Sequence, residues 1–419
     1  MKILIINYYY SPDDNAHVYR WKQIAQFWVE DGHEVEVLTG RVRGAPSYNI
    51  ESRVQVSRVG VLRRSIQNAA VTKSVHPRFL RLVKKLLDIA RPFYRKIYWP
   101  DSMWHWVPSV IYAAIRRRRI KYDLVVSYYP CLAAHLAVVI FKYLSIHRRF
   151  TWIADYGDPF FASPTMQPNN YAIFDTINKS TERRLARSAD YLVFTNEGTA
   201  DAYKAILEHS NKVMVIPHLV NVCKLFSSEK KMNTSDRQTV FCYVGGFHKN
   251  IREPNRLFDL IRKLNRVDSG KYILKIYGPL NGFEITELTP TDCPQIMYMG
   301  AVERDAAIKI MQNADININV DNENCLMTPS KIVDCISTGR PIINLSSDDV
   351  SYTPLDQYSS LGYAISLKKK MITENCVFEV INFIKHHQTL NNASFSDVNK
   401  ILHKHTISTV ANQYISLAN

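Results

Sequence analysis

Short apolar runs rich in β-branched residues alternate with helix-length amphipathic stretches along this chain, and they do so in two series. The first series is Lys2–Asn7, Glu34–Thr39, Leu124–Ser127, Thr151–Ala154, Tyr191–Thr195 and Val213–Ile216. The second is Thr239–Val244, Tyr272–Tyr277, Met297–Met299, Asp315–Val320 and Ile342–Leu345. Such alternation predicts parallel sheets covered by helices, because a parallel pair needs a long crossover that a helix supplies. Between the series lies a polar stretch from Ser227 to Arg237. The chain therefore reads as α/β, with a domain over residues 1–222, a linker over 223–238, a second domain over 239–390, and packing helices over 391–419. A length of 419 residues with 46% hydrophobic composition is enough for two sizeable cores.

The segment TPSKIVDCISTGRPIINL, Thr328 to Leu345, reads as a helix followed at once by a buried strand. Thr328 is a good N-cap and Pro329 suits the first helical position, where its missing N–H costs nothing. Gly339 supplies the left-handed stop and Pro341 forbids continuation. Free N–H groups and the positive helix end face outward at Ser330 and Lys331, and Asp334 lies on the same face three residues on. A phosphate at the helix start with a diol one turn later is the outline of a nucleotide. A capped surface helix with a Lys–Asp pair fits the same residues.

PSKIVDCISTGRP resembles the donor-site helix of retaining, family 4-type glycosyltransferases of the polysaccharide-biosynthesis subgroup. MKILIINYYYSP, the helix bearing Trp21, Ile24, Ala25 and Trp28, and GHEVEVLTG resemble their opening strand, first helix and second strand. FCYVGGFHKNIREP resembles the strand, glycine turn and basic residue that open their C-terminal domain. The resemblance implies the GT-B fold, two Rossmann-like parallel-sheet domains facing a central cleft, with the final helix crossing back to the N-terminal domain. It implies a hexosyltransferase-type enzyme that moves a sugar from a nucleotide-diphosphate donor to a saccharide or lipid-diphosphate-linked acceptor, with retention, in cell-envelope polysaccharide assembly. The N-terminal domain would bind the acceptor.

Transfer from a nucleotide diphosphate requires the departing charge to be stabilised. Lys331 and Arg252 are the candidate cations, and Gly245 and Gly246 permit close approach of the phosphates to the backbone. A loop arginine in water is the other reading of Arg252. Asp334 falls where the family places the carboxylate that holds the ribose, and Leu326 stands where its first glutamate would be. Ala301 and Val302 follow a strand where relatives receive the nucleobase on backbone groups. The first turn, SPDDNAHVYR, lacks paired glycines, so donor contact there would fall to Asn15 or Ala16. His17 and Arg20 begin the next helix and read most simply as a solvated helix start.

WIADYGDPF resembles the D-x-R-D-P-W segment of the same subgroup, with Gly157 in place of arginine. Asp155 and Asp158 would lie at the carboxyl end of a parallel strand and bind acceptor hydroxyls or complement charge at the reacting carbon. A turn stabilised by aspartates is the simpler alternative. His135 reads as a core histidine. No metal or other cofactor is expected.

The rest of the composition narrows the class. Seven cysteines are scattered without CxxC spacing, which favours reduced thiols in a cytoplasmic protein. The apolar start Ile3–Tyr10 is short and runs into Ser11-Pro12-Asp13-Asp14, so it reads as a buried strand rather than a signal peptide. Lys and Arg number 53 against 38 Asp and Glu, an excess of +15 concentrated between Arg63 and Arg119. A stripe of Leu80, Val83, Leu86, Leu87 and Ala90 beside Arg78, Arg81, Lys84 and Lys85 suits an anionic membrane surface, placing the protein peripherally on the inner face of the cytoplasmic membrane. A helix packed on its own domain fits equally. No helix-turn-helix, RNP or zinc-finger pattern accompanies the charge, so no nucleic-acid partner is expected. The remaining alternatives are a nucleotide-sugar epimerase or hydrolase of the same architecture, or a non-catalytic donor-binding subunit.

Overall fold

The computed structural model describes residues 1–63, 97–147, 149–161, 167–207, 210–227, 237–323, 327, 330–346, 352–368, 371–389 and 392–419. The basic stretch 76–96, Leu326, Thr328, Pro329 and most of the expected linker lie outside them. The described residues divide into two compact units, one of residues 1–217 with 407–419 and one of residues 218–406.

The first unit holds β1 (Lys2–Ile6), β2 (Glu34–Val42), β3 (Tyr48–Glu51), β4 (Val54–Arg63), β5 (Leu124–Tyr129), β6 (Thr151–Tyr156), β7 (Tyr191–Phe194) and β8 (Val213–Val215). They form one sheet in the order β3-β4-β2-β1-β5-β6-β7-β8. Every pairing is parallel except β3 with β4. Ile3, Leu4, Ile5 and Ile6 are all fully buried, as an apolar run in a sheet covered on both faces requires. Helix Ala16–Glu30 starts at Asn15, whose side chain accepts the Val18 N–H, and buries Val18, Trp21, Ile24, Ala25 and Trp28 at helical spacing.

Helix Ile407–Ser416 completes this unit. The Trp28 indole N–H donates to the Ala411 carbonyl at 3.1 Å, and Tyr414 packs against Trp21 and Trp28. Helix Phe395–Ile401 instead stays in the second unit, where Val398 and Leu402 share a core with Ile336.

The second unit holds β9 (Thr239–Val244), β10 (Tyr272–Tyr277), β11 (Ile296–Gly300), β12 (Ile316–Val320), β13 (Ile342–Leu345) and β14 (Ala364–Leu367), in the order β11-β10-β9-β12-β13-β14. All five pairings are parallel. This is the Rossmann order, and its direction reverses between β9 and β12, where such sheets place ligands beyond the carboxyl ends.

Strands β3, β4 and β14 go beyond the sequence reading. The β3–β4 hairpin turns at Ser52 and Arg53, both left-handed (φ 48° and 66°), without the glycine or asparagine that announces such a turn. Of the basic run after helix Val107–Arg116, Arg117 is structural: its guanidinium donates to Glu36 at 2.5 and 2.8 Å, while Arg116, Arg118 and Arg119 are exposed.

Candidate functional site

Strands β9 and β10 run directly into Gly245 and Gly278, and β11 ends at Gly300. The Gly245 N–H donates to the Tyr277 carbonyl at 2.8 Å, and the Gly278 N–H to the Gly300 carbonyl at 3.0 Å. A Cβ on Gly278 would collide with the Gly245 carbonyl, and one on Gly246 with the Asn281 amide. The backbones after β9 and β10 therefore touch, which only glycine allows.

Two cations reach this turn. A Cβ on Gly245 would stand 3.9 Å from Lys331 Cγ, so the lysine stem passes beside it. Arg252 Nη1 lies 3.4 Å from the Gly246 carbonyl, and its Nη2 and Nε donate to Asn322 Oδ1 at 2.6 and 3.1 Å. Asn322 follows β12, so this arginine spans the reversal between β9 and β12. Behind it the Asp321 carboxylate accepts from the Asn319 amide at 2.8 Å and the Asn344 amide at 3.0 Å, and burial still raises its pKa. These buried amides fix the loop that holds Arg252.

The short helix Lys331–Ser337 ends at Gly339, whose φ of 74° is the expected left-handed stop. Ser330 precedes it in helical conformation, with no side-chain cap bond. Lys331 Nζ is 3.6 Å from Asp334 Oδ2, and Arg304 Nη2 is 3.4 Å from Asp334 Oδ1. Asp334 is thus held between two cations and is nearly buried. Ala301, exposed, and Val302, half-buried, follow Gly300 at the end of β11. Arg304, Asn322, Gly278 and Asn281 were missed by the sequence reading. A glycine directly after a strand, as in YGPLNGF, is a signal for the last two; Arg304 and Asn322 carry none.

The first unit separates the two aspartates expected to act together. Asp155 is fully buried: Tyr414 Oη donates to its Oδ2 at 2.6 Å, and Arg20 Nε is 3.9 Å from the same oxygen. Burial pushes its pKa up to about 6, opposed by Arg20 and by the Tyr414 hydrogen bond. Arg20 is not a solvated helix residue. It donates to the Pro217 carbonyl at 2.6 Å, the Ile216 carbonyl at 3.1 Å and Tyr414 Oη at 2.7 Å. Asp158 stays 23% exposed, 3.7 Å from His17 Nε2. Asn15 is spent as the helix cap, and Ala16 is exposed at the first helical position. His135 is buried with Nδ1 2.7 Å from Ser127 Oγ, and burial lowers its pKa to about 3. Among the described residues no group of His, Cys, Asp and Glu is arranged to hold a metal, and no helix is long and apolar enough to cross a membrane.

No family model matches the chain, and no curated protein matches it in sequence. Solved structures do. Sucrose-phosphate synthase from Thermosynechococcus elongatus aligns over 99% of this chain and 98% of its own, with TM-score 0.62 and 12% identity. Anabaena HepE in complex with UDP-glucose aligns over 99% and 98%, with TM-score 0.59 and 13% identity. The lipopolysaccharide outer core galactosyltransferase WaaB, in its apo form, aligns over 100% and 99%, with TM-score 0.57 and 14% identity. Two α/β units with parallel-dominated sheets, matched across nearly their whole length, give this chain the GT-B fold of glycosyltransferases.

Proposed function

We propose that this protein is a retaining glycosyltransferase that moves a hexose from a nucleoside-diphosphate donor to a saccharide or lipid-linked saccharide acceptor in cell-envelope polysaccharide assembly. The observation that carries this reading is the meeting of Lys331 and Arg252 at the Gly245–Gly246 turn, where the second sheet reverses direction. A diphosphate seated on that turn meets bare backbone and two side-chain cations. As the bond to the sugar breaks, negative charge builds on the departing phosphate, and fixed cations lower the energy of that state more than of the resting donor. Asp334 would turn from its cations to the ribose hydroxyls, and the backbone at Ala301 and Val302 would face the base. The UDP-glucose complex of HepE and the lipopolysaccharide outer core role of WaaB support a nucleotide-sugar donor and an envelope acceptor. On the acceptor side we assign Asp158, because Asp155 has no surface to offer a ligand. Peripheral membrane attachment through residues 76–96 belongs to the same proposal.

A thermal-shift screen with UDP-, GDP- and ADP-sugars tests it. A true donor at about a hundred times its dissociation constant stabilises the protein by about 2.7 kcal/mol. No response to any nucleotide sugar would overturn the reading. Product release that needs an acceptor separates transfer from isomerisation or hydrolysis of the donor.

A further inference from the structure

His17, Tyr128, Gly157 and Asp158 meet where β5 and β6 end. Tyr128 Oη lies 2.6 Å from His17 Nδ1. Complete burial raises the phenol pKa well above its ordinary value, with the charges of Asp155 and Asp158 adding to the effect, so the phenol keeps its proton. His17 Nδ1 is within reach as an acceptor, and a phenol donating to it fixes the imidazole tautomer. The neutral imidazole then carries its own proton on Nε2.

Nε2 faces Asp158 Oδ2 across 3.7 Å, too long for a direct hydrogen bond. Both side chains are open to solvent, at 27% and 23%. A hydroxyl oxygen placed about 2.8 Å from each would accept from Nε2–H and donate to the carboxylate. Gly157 supports this arrangement independently. A Cβ there would collide with Tyr128 Oη and crowd His17 Nδ1 at 3.2 Å. Glycine at this position, where the resembling segment carries arginine, is what leaves the phenol–imidazole bond room to form.

We propose that His17 Nε2–H and the Asp158 carboxylate, oriented by Tyr128, form a two-point subsite for one hydroxyl of a saccharide or other neutral polyol. The subsite rests on geometry; that its hydroxyl belongs to an acceptor sugar rests on the glycosyltransferase reading. Within it Tyr128 is a positioning residue that acts through His17. His17 sets where the hydroxyl sits and leaves the carboxylate to accept its proton in a hydrogen bond.

Nitrogen-15 labelling of histidine in the full chain reads the tautomer directly at about pH 8, where an ordinary imidazole is neutral. The His17 resonance, identified by its loss in His17→Gln, should show the proton on Nε2. Tyr128→Phe and Gly157→Ala should both turn it into a mixture of tautomers, the second without touching the phenol. Methyl α-D-glucoside, the hydroxyl probe, should shift this resonance in the wild type. Its apparent affinity should fall about three- to tenfold in Asp158→Asn and in Tyr128→Phe, the loss of one hydrogen bond. A wild-type proton on Nδ1, or a resonance that ignores the glucoside, overturns the subsite. Calorimetric titration with UDP, GDP and ADP runs beside it. Absent binding of all three with a responsive His17 overturns the donor reading alone, and normal binding of one of them with a silent His17 overturns the subsite alone.

Discussion

Gly245, Gly278 and Gly300 end neighbouring strands of the second unit in bare backbone, whereas Tyr128, Tyr129 and Tyr156 end β5 and β6 of the first unit in buried phenols. Both sheets are built on the same parallel logic, so the difference lies in what the strand ends present. Side-chain-free backbone beside half-exposed cations suits a polyanion, which needs close approach and charge rather than shape. A buried phenol bonded to an imidazole, with a carboxylate beside it, suits hydroxyl groups, which are told apart by the direction of each hydrogen bond. Asp155 and Asp158 repeat the contrast over three residues: one closes an interior, the other meets solvent.

The sharpest way to break this comparison is Arg20→Met, which keeps the packing volume and removes the charge beside Asp155. A buried carboxylate left without its cation should cost about 3–5 kcal/mol. Urea unfolding should show the loss while UDP binding by calorimetry stays unchanged. A cost under about 1 kcal/mol would mean that the interior charges are not coupled.

Arg252→Ala and Lys331→Ala strike the other unit. Each should remove a charge-assisted contact worth about 1.5–3 kcal/mol, slowing transfer about ten- to more than a hundredfold while leaving unfolding nearly as it was. The rate should fall further than donor affinity does. Wild-type turnover in both variants, with donor well below saturation, would remove the glycine turn as the phosphate site.

The pH dependence sharpens the contrast further. Burial raises Asp101 and Asp155 to about 6 and Glu182 to about 7, from ordinary values of 3.8, 3.8 and 4.5, against the opposing hydrogen bonds each accepts. For these three groups the folded state holds more protons than the unfolded one between those limits, so their share of the stability falls as pH rises from about 4 to 7. Buried His135, lowered to about 3, acts in the opposite sense. Glu182 alone should contribute on the order of 3 kcal/mol to that fall. Urea unfolding at each pH should show Glu182→Gln gaining stability relative to the wild type by that amount as pH rises across this range.

The smallest effect is expected at Asp334. Asp334→Asn should weaken nucleotide binding several-fold with little change in turnover, about 1 kcal/mol for a contact made alike before and during reaction. Lys309→Ala, an exposed position on helix Arg304–Asn313, should change neither. Equal effects at the two positions would make Asp334 a surface charge.

What the sequence made legible followed the range of each interaction. β1, β9, β10 and β13 were readable because each is a compact β-rich run whose core-facing residues are buried. The Lys331–Asp334 pair was readable because three residues on a helix return to one face. Asn322 reaches Arg252 across 70 residues, and Arg304 reaches Asp334 across 30, distances no local pattern encodes. Arg20 and Asp155 looked like surface chemistry for the same reason: the Tyr414 hydroxyl that meets both comes from 394 and 259 positions away.

Because residues 407–419 belong to the unit that residues 1–217 begin, the order of synthesis and the order of assembly differ. On the ribosome the first sheet emerges and waits, with Trp21, Trp28 and the Arg20–Asp155 pair uncovered, while the whole of 218–406 is translated. Until Tyr414 and Ala411 arrive, that surface is sticky and its carboxylate lacks the phenol that satisfies it. The chain therefore has an interval of exposure written into its connectivity, during which a chaperone has a defined patch to shield and a protease a defined patch to find.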